Sequence, residues 1–139
     1  MKNEHLLKQC VPELVLVFTK VNTLFAKVEI LPSTIRTIEQ QKAFVAAGTS
    51  KTMYSKHLIT PQYPLSRAVD AGLYPHQWPV AGQKDYWQNW ARLYYFAGVV
   101  MAVSKELNIN IRFGGDWNCN FDLKDENFFD GVHFEIIGG

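Results

Sequence analysis

Residues 85–115 read DYWQNWARLYYFAGVVMAVSKELNINIRFGG, and the change of period inside this stretch decides the fold class. The first part is helical: Trp87, Trp90, Tyr94, Ala97 and Met101 trace one face, and Leu93, Phe96, Val100 and Leu107 widen it. At that spacing the aromatic stripe reads as core packing rather than as a sugar-binding platform. Asp85 is placed to cap the start of the helix, and Asn108 ends it. Ile109, Ile111 and Phe113 then alternate with polar residues, the period of a strand, and run into Gly114-Gly115.

Upstream, Pro12 fits a first helical position, and Leu14, Val17, Phe18, Val21 and Phe25 recur at helical spacing, so a helix is expected over about 12–26. Lys27 to Leu31 alternates and stops at Pro32, which predicts a short strand. Thr37 with Gln40 three residues later makes a capping box, and Gly48 suits the residue just past a helix end, so a second helix lies between them. From Gly48 to Gln83 no period is sustained, apart from a short apolar strand at Ala68-Val69-Asp70-Ala71. A long irregular stretch of this kind is usually a binding or catalytic surface. Downstream, a polar loop precedes a closing strand from His133 to Ile137. The expected fold class is α+β, a small antiparallel sheet with about three helices, in one domain over 1–139.

Composition narrows the function. The chain has 139 residues, 47% of them apolar and 14% aromatic, enough for one hydrophobic core and unlike the composition of a disordered chain. A formal net charge of +1 gives no electrostatic reason to expect a nucleic-acid partner. Cys10 and Cys119 are too few for a disulfide scaffold or a four-thiolate zinc site and read as two reduced thiols. The apolar run Leu14–Phe18 is short and lies between Glu13 and Lys20, neither a signal peptide nor a membrane span. The expectation is a monomer without membrane insertion, retained in the cytoplasm of the producing cell until something releases it.

Four histidines are available. His5 falls in an N-terminus expected to fray, and His76 in a loop between prolines, which leaves His57 and His133. Two imidazoles and one carboxylate from separate elements suit a catalytic zinc site, because three protein ligands leave a fourth position for water. Such a site also needs a free carboxylate to take the proton of that water and pass it on, and Asp130, three residues before His133, is placed for it. Spacing alone leaves the alternative of an ordinary polar contact open. Asp116, Asn118, Asn120 and Asp122 alternate like a calcium loop but lack the glycine of its sharp turn, and read as a solvated acidic loop.

Five short motifs, in order over residues 12–137, add a resemblance. Arg36-Thr37 with Gln41, Ser55-Lys56-His57, Ser66-Arg67-Ala68-Val69-Asp70, Arg112-Phe113-Gly114-Gly115-Asp116-Trp117 and Asp130-Gly131-Val132-His133-Phe134-Glu135 resemble those of a peptidase family. It comprises the D-alanyl-D-alanine carboxypeptidases and phage L-alanyl-D-glutamate endolysins, the VanY-like metallopeptidases of the hedgehog-like fold. The resemblance implies that His57, Asp70 and His133 hold Zn2+, that Asp130 is the general base and acid, and that Arg36 stabilises the developing oxyanion. A helix-terminal salt bridge is the other reading of Arg36. Asp116 would orient a ligand imidazole or else form a turn; Ser55 would hydrogen-bond near the site; Glu135 would support the strand or the substrate edge. Three departures stand out: a longer His57–Asp70 spacing, so that loop 58–66 must bulge outward; Ser66 in place of a glycine; and Asp130 where many carboxypeptidases have Glu. The implied activity is hydrolysis of the L-alanyl-D-glutamate bond in the peptidoglycan stem peptide. A D-alanyl-D-alanine carboxypeptidase or dipeptidase is the alternative, and a non-catalytic wall-binding module the third.

Overall fold

A computed structural model describes residues 1–25, 27–50, 52–127 and 129–138. Within them the chain forms α1 (Glu4–Leu7), α2 (Pro12–Phe25), β1 (Val28–Ile30), α3 (Ile38–Ala46), β2 (Ala68–Leu73), α4 (Tyr86–Glu106), β3 (Ile111–Phe113) and β4 (His133–Ile136). The sheet runs β1-β2-β4-β3 with every pair antiparallel, so the fold is α+β as expected. The last strand inserts between β2 and β3. Its register sets His133 opposite Asp70 and Phe134 opposite both Val69 and Phe113.

Alternation along β4 gives the sheet two faces. Phe134 packs beneath α2 and α4, with ring centroids 5.6 Å from Phe18, 6.0 Å from Phe96 and 5.4 Å from Phe113. Leu14, Val17, Phe18 and Val21 of α2 and Phe96, Ala97 and Val100 of α4 complete this core. Each large side chain taken from water there contributes about 1.5–3 kcal/mol. His133 and Glu135, the alternate residues, point to the opposite face.

Local signals place most helix ends. Pro12 opens α2, and position 26, the last of the expected helix, lies outside the described residues. At α3, Gln40 N–H donates to Thr37 Oγ1 (3.2 Å) and Thr37 N–H to Gln40 Oε1 (2.9 Å), and Gly48 follows in the left-handed conformation at φ 77°. Asn108, at φ 58°, closes α4. Asp85 precedes α4 but makes no side-chain capping bond.

Two expectations need correction. The N-terminus is not frayed: Lys2 N–H donates to Val28 O, Ile30 N–H donates back to Lys2 O, and a fourth helix, α1, includes His5. On α4 the aromatic stripe is not the core face. Trp87 is 75% exposed and Tyr94 40%, while Leu93, Phe96, Ala97, Val100 and Val103 are buried. The phase is set by the aliphatic residues and Phe96 that fit beneath the sheet, and the bulkier rings pack on one another at the rim, Trp90 against Tyr94 and Phe129. Cys10 is buried beside Ser66, and burial pushes its thiol up to about 12 against a smaller opposing effect of the Ser66 hydrogen bond; Cys119 is exposed. Among the described residues no helix is long and apolar enough to cross a membrane.

Candidate metal centre

Three elements bring the centre together. Asp70 on β2 and His133 on β4 face each other through strand register. His57 arrives on a segment that runs beside Arg36, with Arg36 N–H donating to His57 O (3.3 Å) and Ile59 N–H to Arg36 O (3.1 Å). Ser55 shapes this turn, its hydroxyl accepting from His57 N–H at 3.2 Å. Loop 58–66 then leads back to β2, with Ser66 N–H donating to Gln9 O (2.9 Å) at its end. Ser66, in the place of the expected glycine, is buried and donates to Ala68 O at 2.7 Å.

All three side chains are buried and share one point. His57 Nε2 lies 3.0 Å from His133 Nδ1 and 3.1 Å from Asp70 Oδ1, and His133 Nδ1 lies 3.4 Å from the same oxygen. Among the described residues this is the one group of three His, Cys, Asp or Glu whose ligand atoms are near enough to hold an ion together. The outer nitrogens explain the orientation. His57 Nδ1 faces Thr34 O at 3.0 Å, and His133 Nε2 faces Glu135 Oε1 at 2.9 Å. Because each ring donates its N–H to one of these acceptors, Nε2 of His57 and Nδ1 of His133 turn lone pairs inward.

Asp70 is arranged in the same way. Its Oδ2 accepts from Ser33 Oγ (2.6 Å) and Arg36 Nη2 (3.1 Å), whereas buried Oδ1 has no hydrogen-bond partner. Two imidazole lone pairs and an orphaned carboxylate oxygen repel one another unless a cation or a proton lies between them. Their separations match the ~3.3 Å expected between ligands around a tetrahedral ion with zinc bond lengths, so the residues fit a zinc site. A proton held on His133 relieves the same repulsion. Burial alone would lower His133, but the adjoining Asp70 and Glu135 carboxylates and the charge of Asp130 raise it to about 9. Burial pulls Asp70 the other way, yet the two histidines hold its carboxyl well below the usual range.

Asp130 stands beside this group. Burial first, and then the charge of Asp70, raise its carboxyl above the ordinary value, against the opposing pull of His133 and His57. Its position depends on Gly114: Asp130 N–H donates to Gly114 O (2.8 Å), and a Cβ at 114 would meet Asp130 O at 2.3 Å and His133 Cβ at 2.9 Å. A cleft of about 370 Å³ opens here, lined by Arg36, Tyr54, Trp117, Asp130, His133 and Glu135 among others. Trp117 packs on the His133 ring at 5.2 Å between centroids.

A computational family model for the phage L-alanyl-D-glutamate peptidases matches residues 1–137. This chain belongs to that family. As a peptidase of this phage family, it is 30% identical over 106 residues to the L-alanyl-D-glutamate peptidase of Escherichia phage T5, which covers 74% of this chain and 71% of the relative. Its fold is that of an L-Ala D-Glu endopeptidase of Serratia marcescens solved by crystallography, with a TM-score of 0.65 over 97% of this chain and 86% of the other, at 24% identity.

For two residues the sequence left two readings open, and their contacts bear on both. The Asp116 carboxylate accepts from Asn120 N–H (3.3 Å) and Phe121 N–H (3.0 Å), the turn-forming use, while the outer imidazole nitrogens face Thr34 O and Glu135 Oε1. Arg36 forms no helix-end pair; Nε donates to Ser33 O (2.7 Å), Nη1 to Gln41 Oε1 (3.0 Å) and Nη2 to Asp70. Sequence reasoning gave no role to Thr34, nor to Gln41 beyond its place in a motif. The first acts through its backbone carbonyl, which no side-chain pattern reveals. The second stands in the Arg36-Thr37-x-x-x-Gln41 motif, and its role there is to accept from Arg36 Nη1.

Proposed function

We propose that this peptidase hydrolyses the L-alanyl-D-glutamate bond of the peptidoglycan stem peptide, with a zinc ion held by His57, Asp70 and His133. One observation carries the metal part of this reading: two imidazole nitrogens and the unpartnered Asp70 Oδ1 meet at a single buried point. When bound, zinc supplies a Lewis acid and a water acidic enough to lose its proton near neutral pH.

The chain's own groups supply the rest. Asp130, with its raised carboxyl beside the ligands, accepts a proton from the attacking water and delivers it to the departing D-glutamate nitrogen. Arg36 lines the cleft and anchors Asp70 from behind, and its guanidinium is a fixed cation for the oxygen that gains charge at the scissile carbonyl. Trp117 walls the His133 side of the cleft. The wall is the expected substrate of a monomeric catalytic unit of this size, reached after release from the producing cell.

The test is metal content together with mass spectrometry of digested muropeptides. The reading requires about one zinc per chain, a new D-glutamate amino terminus, and loss of cleavage on chelation. Free D-alanine as the product would favour a carboxypeptidase, and cleavage surviving exhaustive chelation would remove the metal from the reaction.

A further inference from the structure

Glu135 has both carboxylate oxygens in use. Oε1 faces His133 Nε2 at 2.9 Å, while Oε2 lies 3.4 Å from Lys56 Nζ and 3.5 Å from Arg112 Nη1. The two cations come from separate elements. Lys56 precedes His57 and also donates to the carbonyl of Ile136; Arg112 is the register partner of Glu135 across β3 and β4. The side chain of Glu135 is only 10% exposed, so water cannot substitute freely for either partner. A carboxylate held by one oxygen can swivel about its last torsion, which is broad and roughly two-fold. One held at both oxygens cannot.

We propose that Lys56 and Arg112 are positioning residues for the His133 end of the metal centre, acting through Glu135. They fix the rotation of the carboxylate, so Oε1 keeps the Nε2 proton of His133 and Nδ1 remains the ligand atom. Neither cation needs to touch metal or substrate. The sheet edge and the His57 segment are thereby tied to one side chain, and displacement of either loosens the imidazole between them. Outer partners of this kind typically change metal affinity by about 10–100-fold. The proposal rests on the reading of His133 as a ligand.

The experiment uses zinc itself as probe, with the full chain and a chromophoric chelator in competition, beside kcat and KM on a defined muropeptide. Lys56→Met and Arg112→Met should each weaken zinc binding by about tenfold, and Glu135→Gln by about 10–100-fold. Lys56→Arg should recover most of the loss. At saturating zinc kcat should return towards that of the parent chain with KM little changed, which a merely structural defect would not do. Within the Glu135→Gln background, Lys56→Met should have little further effect, because the group it acts through is already altered. Parent-like zinc affinity in folded Lys56→Met and Arg112→Met, or losses that simply add to that of Glu135→Gln, would overturn the proposal. If either methionine variant does not fold, Glu135→Gln with Lys56→Arg decides it: parent-like affinity in Glu135→Gln rejects the idea. A parent chain that binds no zinc would instead reject the metal-centre reading, a separate and recognisable failure.

Discussion

The two faces of β4 share four residues of backbone and have opposite chemistry. On one face Phe134 meets Phe18, Phe96 and Phe113 through ring contacts that tolerate no solvent. On the other, His133 and Glu135 meet Asp70, Lys56 and Arg112 through directed polar contacts. The apolar face supplies free energy and asks mainly for volume, whereas the polar face supplies geometry at a cost in desolvation. Because side chains alternate with a period of two, a slip of one residue would exchange the faces and destroy both. The core therefore guards the register on which the candidate metal centre depends.

Substitutions on either face should separate these contributions. The largest effect on chemistry is expected from His133→Ala, which should lower zinc content from about one per chain to nearly none and abolish cleavage, as read by elemental analysis and muropeptide release. Asp130→Ala should keep the zinc and lose turnover by about 10²–10⁴-fold; a variant that cleaves like the parent would take Asp130 out of proton transfer. Phe134→Ala, one residue from the ligand but on the other face, should cost about 3–5 kcal/mol in urea unfolding with an unchanged slope. Its remaining folded molecules should still bind zinc. Were the metal lost while stability held, the division between faces would be wrong.

The smallest effect is one of pH. With His133 in the metal-free chain raised to about 9, zinc must displace a proton at any lower pH, so affinity should rise about tenfold per pH unit and level off above 9. Titration by competition at several pH values checks this. The same shift stabilises the metal-free fold fully below the ordinary value of 6.5, and that contribution disappears as pH rises through about 9. Metal-free protein should accordingly be easier to unfold at pH 9.5 than at pH 6.

The local parts of this architecture were legible in the residues. Pro12, the Thr37–Gln40 box, Gly48 and Asn108 mark helix ends because capping and left-handed turns are short-range physics. His57, Asp70 and His133 could be chosen as candidates from side-chain chemistry and motif order, although their convergence depends on partners up to 76 residues apart. Thr34 was invisible because its contribution is a carbonyl fixed by tertiary structure. Of the expected inward face of α4, Leu93, Phe96, Ala97 and Val100 are buried and the aromatic edge is not, for a related reason: an aromatic and an aliphatic stripe overlap on one helix, and only the shape of the sheet selects between them. The short α1 carries too few residues for any periodic signal, and its stability comes from the bonds that tie Lys2 to β1.

The pair of thiols offers a practical opening. Cys10, enclosed and with its thiol pushed up to about 12, holds almost no thiolate at neutral pH, and the thiolate is the form that alkylating reagents attack. Cys119 is open to solvent on the loop that also carries Trp117. A maleimide dye added to the unaltered chain would therefore attach at one place, giving a fluorescent reporter of the His133 wall without a single mutation.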